Sequence, residues 1–192
     1  MQNRYAPKYD EKNYKEEVFP LEKLTSIDEF EIVLKNIKDN FNNNNVVSAQ
    51  EIINASSEKN GIKTLFRKTF GEIETTKGVY VYAEKLDNIG FRPIYVGISK
   101  SIVERKRQHL VRTDKGTATL ALKIARHVGH ISEEEENKEK VTDAIKTVQG
   151  EYLKNLWITI HHYPDTSNFL LPMLEIYLAI KLKAYWNTFE TH

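Results

Sequence analysis

The clearest hydrophobic pattern lies near the middle of the chain, where two short runs of apolar residues have the character of β-strands. Val79–Ala83 and Ile94–Ile98 are rich in Val, Ile and Tyr, which predicts one strand each. Asp87, Asn88 and Gly90 lie between the runs and favour a turn. The pattern therefore predicts an antiparallel hairpin with a long loop, and the other elements are placed around it.

Helical periodicity follows the second run. Ser101 and Glu104 have the spacing of a capping box, so we expect a helix over Ile102–Arg112. Basic residues recur on it at i, i+4 and i+7, which places them on one face. These three residues are Arg105, His109 and Arg112.

Further periodic segments lie on both sides of the hairpin. Leu156–His162 alternates between its two faces and predicts a third strand. Apolar residues at helical spacing predict the helices. The first predicted helix begins at Ser26 and ends in the asparagine run 42–45, and the second runs from Ser48 through Ile53. Two more cover Thr117–His127 and 133–148, and the last helix has Pro172 in its first turn.

The order of these elements predicts an α+β fold, with a small three-stranded antiparallel sheet flanked by helices. Residues 1–70 form an N-terminal arm and a mostly helical extension, in which Met1–Phe19 is the arm. Residues 71–192 form the main domain. We expect the extension to pack onto the main domain, and a dimer interface or a DNA contact is the alternative.

Composition limits the chemistry that the chain can carry. The 192 residues include no cysteine, which excludes disulfides and thiolate zinc sites. No apolar run reaches the length of a membrane span, and no signal-peptide core follows the first residues, so we expect a cytoplasmic protein. The formal net charge is only +1, yet positions 98–126 hold eight basic and two acidic residues. Such a local basic surface suits contact with phosphates.

One carboxylate has an unusual position on the last predicted helix. Glu175 falls on the same stripe as Leu171, Leu178 and Leu182. An unpaired charge on an apolar face is unfavourable, so this carboxylate needs a cation, either a metal ion or a basic side chain.

Six elements of the sequence occur together in the order of a known family. They are the tripeptide Gly78-Val79-Tyr80, the tripeptide Tyr95-Val96-Gly97, Arg105 eight residues after Gly97, His109, Glu175 and Asn187. In this order and on these elements, residues Gly78 to Asn187 resemble the GIY-YIG nuclease superfamily, and the last two spacings resemble its stand-alone restriction enzymes. The hairpin loop is a few residues longer than is usual in the family.

The resemblance implies a divalent-metal-dependent DNA endonuclease with the catalytic set Tyr80, Tyr95, Arg105, His109, Glu175 and Asn187. It implies that Glu175 holds Mg²⁺ or Mn²⁺ and that a tyrosine is the general base. We favour Tyr80 as the base and Tyr95 as its partner or a phosphate ligand, although the sequence leaves that choice open. A tyrosine base needs cationic neighbours, which we expect to be Arg105 and His109.

The basic segment supplies the predicted contacts to double-stranded DNA. These residues are Lys100, Lys106, Arg107, Arg112, Lys115, Lys123 and Arg126. A restriction or defence enzyme is the first expectation. The alternatives are a non-catalytic nucleic-acid-binding protein with the same fold and a repair or structure-specific nuclease. No membrane partner is expected, and a homodimer stays open.

Overall fold

The structure is a computed structural model, and it describes residues 26–71, 77–87, 90–163 and 170–187. These ranges form an α+β fold with one four-stranded antiparallel sheet and helices on both of its faces. Two earlier expectations lie outside the described residues: the arm Met1–Phe19 and the turn residue Asn88.

The sheet contains the three predicted segments and one more strand. The strands are β1 (Val47–Ser48), β2 (Gly78–Leu86), β3 (Gly90–Ser99) and β4 (Trp157–His162), in the order β1-β4-β2-β3. Every neighbouring pair is antiparallel. The prediction of three strands was wrong, because it missed the edge strand β1. This strand has two residues and is too short to give an alternating pattern.

The hairpin differs from its prediction in the length of its loop. β2 extends to Leu86 and β3 begins at Gly90, so three residues separate the strands. The residues assigned to a long loop continue the ladder instead, down to the pair Leu86 and Gly90. An irregularity in register at Tyr82 and Ala83 accommodates the unequal strand lengths.

The predicted helices occur in the predicted order with changes at their ends, and α3 is a helix that the sequence did not predict. Their bounds are α1 (Ser26–Asn42), α2 (Ala49–Ala55), α3 (Gly61–Phe70), α4 (Ile102–Leu110), α5 (Thr119–His127), α6 (Lys138–Glu151) and α7 (Leu170–Leu182). A short 3₁₀ turn, Leu153–Asn155, precedes β4. In the described ranges no helix is both long and apolar enough to span a membrane.

The capping box expected at α4 was wrong. Ser101 precedes α4 but makes no side-chain capping hydrogen bond. A complete capping box occurs instead at α2, where the Ser48 hydroxyl accepts from the Glu51 amide and the Glu51 carboxylate accepts from the Ser48 amide. The same spacing of Ser and Glu thus occurs at both helices. The backbone conformation at the N-cap residue decides at which helix the capping hydrogen bonds form.

The sheet separates two hydrophobic cores. On one face, α1 and α7 cover Val79, Val81, Ala83 and Val96. On the other face, side chains of α2 to α6 cover the opposite residues of β2 and β4, among them Ile158. The N-terminal helices therefore pack onto the sheet. The tyrosines of the candidate site lie on the side of the second core, whereas Glu175 is on α7, which covers the other face.

Candidate functional site

The glycines of the two tripeptides are explained by close packing. Tyr80 pairs with Gly97 across β2 and β3. A Cβ atom at position 97 would lie 2.4 Å from both Cζ and Oη of Tyr80, so the tyrosine ring fills the space of the missing side chain. A Cβ atom on Gly78 would lie 2.3 Å from the carbonyl oxygen of His161. The orientation of Tyr80 thus depends directly on Gly97.

Five side chains meet between the hairpin and α4 in what we call the tyrosine cluster: Tyr80, Tyr82, Tyr95, Lys106 and His109. Tyr80 and Tyr82 lie two residues apart on one face of β2 and Tyr95 opposes Tyr82 on β3. The ring centroids of Tyr80 and Tyr95 are 6.2 Å apart. The imidazole of His109 stacks on the Tyr82 ring with centroids 6.1 Å apart.

His109 has a different role from the one expected. The side chain is fully buried, and neither ring nitrogen has a hydrogen-bond partner in the described part of the chain. Burial, together with Lys106 and Arg105, lowers the pKa of His109 well below its ordinary value. The imidazole is therefore neutral at pH 7, and the expectation that His109 supplies positive charge to a tyrosine was wrong.

Lys106 also departs from expectation. It was assigned to a DNA-contacting surface, but it is fully buried and its Nζ lies 3.0 Å from the centroid of the Tyr80 ring. The next residue on α4, Arg107, faces solvent. The sequence of α4 did not predict the burial of Lys106, because a run of basic residues gives no indication of which side chain points into the core.

The Glu175 carboxylate lies in a pocket of about 310 Å³ together with residues from distant parts of the chain. The pocket is lined by Tyr95, Thr119, Leu120, Lys123, Glu175, Trp186 and Asn187. Three predicted site residues thus meet there, since Tyr95 comes from β3, Glu175 from α7 and Asn187 from the segment after α7. Thr119, Leu120 and Trp186 were not foreseen. The packing of α5 onto this side brings Thr119 and Leu120 near, and Trp186 precedes Asn187 in the segment after α7.

Arg105 reaches the wall of this pocket from α4. One guanidinium nitrogen donates to Thr119 Oγ1 at 3.0 Å, and the other contacts Gln108 Oε1 at 3.1 Å and the Thr117 carbonyl at 3.4 Å. Its charge acts on Tyr80, Tyr95 and Glu175. Arg105 is therefore the cation that is shared by the tyrosine cluster and the pocket.

Asn187 is held against the edge strand of the sheet. Its Oδ1 accepts from the Val96 amide at 2.7 Å, and its Nδ2 donates to the Val96 carbonyl at 2.7 Å. The side chain thus imitates a paired strand residue on β3 and anchors the segment that follows α7. Both polar atoms are engaged, so Asn187 lines the pocket as an anchoring residue.

The environment of Glu175 favours its protonated form. Burial raises the pKa of Glu175 to about 7, and the positive charge of Arg105 opposes that rise only in part. A second cation beside the carboxylate would lower its pKa again.

The two tyrosines of the tripeptides differ in access. Tyr80 is 1% exposed, and burial raises its pKa well above its ordinary value. Tyr95 is partly exposed and lines the pocket. Burial and the charge of Glu175 raise the pKa of Tyr95, whereas Arg105 and a hydrogen bond with Tyr80 lower it.

The remaining basic residues lie on the surface or near it. Lys100, Arg107, Arg112 and Lys115 are exposed, and Lys123 and Arg126 are partly exposed. Arg112 lies beyond the end of α4, so it does not share a helical face with Arg105 as predicted. It pairs with Glu104, and Arg126 pairs with Glu133.

The residues present limit the kind of metal site that could exist. In the described ranges no group of three or more His, Cys, Asp or Glu residues is placed to hold a metal ion. A site at Glu175 would therefore have one protein carboxylate and depend on water or substrate oxygen for the rest. Mg²⁺ tolerates such a site, because it often binds one or two carboxylates together with waters and phosphate oxygens.

Comparisons with known proteins add no relative. No protein-family model matches the chain, and neither the curated proteins nor the solved structures include a significant match. The likeness to GIY-YIG nucleases thus stands on the residues and their positions.

Proposed function

We propose that this chain is a divalent-metal-dependent DNA endonuclease of the GIY-YIG type. The observation that supports the proposal best is the pocket shared by Tyr95, Glu175 and Asn187, with Arg105 bonded to its wall through Thr119. These residues are separated by up to 92 positions in the chain and were selected by sequence order alone. Their convergence is what a phosphodiester hydrolase of this type requires.

Glu175 is the residue that would hold Mg²⁺ or Mn²⁺. A bound ion of this kind lowers the pKa of a coordinated water and neutralises phosphate charge. The half-buried carboxylate fits that task, since its raised pKa reflects a negative charge without sufficient compensation. Asn187 keeps the end of α7 near β3 and so preserves the shape of the pocket.

Tyr80 and Tyr95 would act as a pair in which Tyr95 meets the attacking water. Tyr95 lines the pocket, whereas Tyr80 lies behind it, which reverses the roles that we favoured from the sequence. The hydrogen bond with Tyr80 favours the ionised form of Tyr95. An ionised Tyr95 could therefore accept a proton from the attacking water, which becomes hydroxide, while the hydrogen bond with Tyr80 stabilises the Tyr95 phenolate beforehand.

Arg105 would stabilise the charge that develops on the phosphate. Its guanidinium is positioned by Thr117 and Thr119, and a fixed cation at the site of developing charge lowers the barrier. Double-stranded DNA would lie across the exposed basic residues that precede α5, with Arg107 and Lys115 as examples. A restriction or defence enzyme is the form of the activity that we propose.

The test is nicking of supercoiled plasmid with Mg²⁺ or Mn²⁺, by the wild type, Glu175→Ala, Tyr95→Phe and Tyr177→Phe. We expect Glu175→Ala to be inactive and Tyr95→Phe to lose on the order of 10²–10⁴-fold in rate. Tyr177→Phe is the matched control, because the Tyr177 hydroxyl donates a hydrogen bond to Glu31 on the other side of α7. We expect this variant to cleave like the wild type. Cleavage that survives Glu175→Ala would refute the proposal. DNA binding without cleavage by the wild type would favour the non-catalytic alternative.

A further inference from the structure

The amine of Lys106 is the least expected polar group in the core. Nζ lies 3.0 Å from the centroid of the Tyr80 ring and 4.1 Å from that of Tyr82. Within the described ranges it has no hydrogen-bond partner, and the Tyr82 hydroxyl beside it has none either. Burial and the charge of Arg105 lower the pKa of Lys106 well below its ordinary value. Both effects favour the neutral amine over the ammonium.

The surroundings of this amine contain few groups that could carry negative charge. Tyr80 and Tyr82 from β2 lie against it, and Tyr95 from β3 is the third phenol of the cluster. From α4 itself come Arg105, a cation, and His109, which is neutral. The elements α2, α6 and α7 add three further polar groups.

These further groups do not supply a carboxylate to Lys106. Glu51 of α2 is exposed and bonded to Ser48. Gln149 of α6 donates to the His109 and Arg112 carbonyls. Glu175 of α7 acts on Tyr95 in the pocket. The groups that could balance an ammonium at Lys106 are thus the phenols themselves.

We propose that Lys106 is a positioning residue for Tyr80, whose amine becomes the compensating cation when a phenolate forms on that tyrosine. This inference rests on the proposed nuclease function, in which the tyrosine pair accepts a proton. The O–H bond of Tyr80 breaks, its oxygen keeps the electron pair, and the proton ends on the nitrogen of Lys106. Because Nζ lies over the ring and accepts no hydrogen bond from the phenol, the amine must move toward the Tyr80 oxygen for this transfer. The net charge of the buried cluster does not change, so burial opposes this step less than it opposes loss of a proton to solvent.

The first experiment measures ionisation at position 80 directly, without DNA or metal. 3,5-Difluorotyrosine is placed at position 80, where its more acidic phenol titrates in an accessible range, and ¹⁹F NMR follows it with pH. Replacing Lys106 by Met removes the amine and keeps the length of the side chain. We expect the apparent pKa at position 80 to rise by at least about one unit, and by up to roughly three if the ion pair forms at about 4 Å.

Lys154→Met is the control, because Lys154 is exposed on the 3₁₀ turn and should leave this titration unchanged. A Lys106→Met protein that folds, by circular dichroism, and titrates like the control would overturn the proposal. A purely structural lysine would change stability without moving the pKa at position 80.

The second experiment leaves Lys106 in place, so it applies even where Lys106→Met does not fold. The ¹³Cε resonance of Lys106 is titrated in the protein with difluorotyrosine at position 80 and in Tyr80→Phe. We expect the pKa of Lys106 to be at least about one unit higher in the first protein, because the fluorinated phenolate favours the ammonium. Equal values would overturn the proposal. Neither measurement uses cleavage, so a failure of the nuclease assay is distinguished from a failure of this inference.

Discussion

Replacing Gly97 by Ala tests the packing that positions Tyr80. The new Cβ would lie 2.4 Å from Cζ and Oη of Tyr80 and 2.6 Å from its Cε2, all well inside van der Waals contact. The ring is 1% exposed and has Lys106, Tyr95 and His109 around it, so it has no free space into which it can turn. Overpacking of a core typically costs about 1–3 kcal/mol, and we expect Gly97→Ala to lose stability within that range.

The matched control is Gly150→Ala on α6, where a Cβ meets nothing within 4 Å. That substitution should stabilise the protein by about 0.5–1 kcal/mol, because Ala is the better helix former. Urea unfolding followed by tryptophan fluorescence gives both values. A double-mutant cycle with Tyr80→Leu, which shortens the clashing side chain, should recover about 1 kcal/mol or more of the loss. A Gly97→Ala protein within 0.5 kcal/mol of the wild type would refute the packing argument.

Two further predictions concern the pocket. Burial raises the pKa of Glu175 to about 7 in the folded state, so the stability that its protonation contributes is present below its ordinary pKa of 4.5 and is lost as the pH rises through about 7. In metal-free protein, the free energy of unfolding of Glu175→Gln should therefore match that of the wild type near pH 4.5 and exceed it by about 3 kcal/mol at pH 8, and equal urea midpoints at pH 8 would contradict this. Asn187→Ala removes both hydrogen bonds to Val96 and should cost about 1–3 kcal/mol while speeding amide exchange at Val96. Unchanged exchange at that amide would show that the segment after α7 is held by other contacts.

Local sequence patterns predicted the helices and strands well where the type and spacing of neighbouring residues determine the element. The β-hairpin, α1 with its asparagine end, and the alternation of β4 all follow from hydrophobic period and turn residues. Leu156, Ile158 and Ile160 indeed belong to one core. Trp157 packs against the other. Such features depend on neighbours within a few positions, which a sequence displays directly.

The sequence predicted some of the residues of the site but not their packing. Tyr95, Glu175 and Asn187 were identified by order in the chain, and the structure brings them to one pocket. The burial of Lys106 and His109 was not predictable, because the direction in which α4 turns depends on its packing against β2 and α2. The short strand β1 was missed for the same reason, since its two residues gain strand geometry only from β4.

The strand order has a consequence for how the chain folds while it is being synthesised. β2 and β3 are adjacent in sequence and can pair early, whereas β4 must return over more than 70 residues to lie beside β2. Closing so long a segment is entropically costly and makes folding slower. Within the described ranges β1 pairs with β4 alone, so this strand joins the sheet when the chain has been made beyond His162. A ribosome-bound chain that stops before β4 would leave one edge of β2 unpaired and would lack α7 on one face of the hairpin, and it is at this length that we expect binding by chaperones.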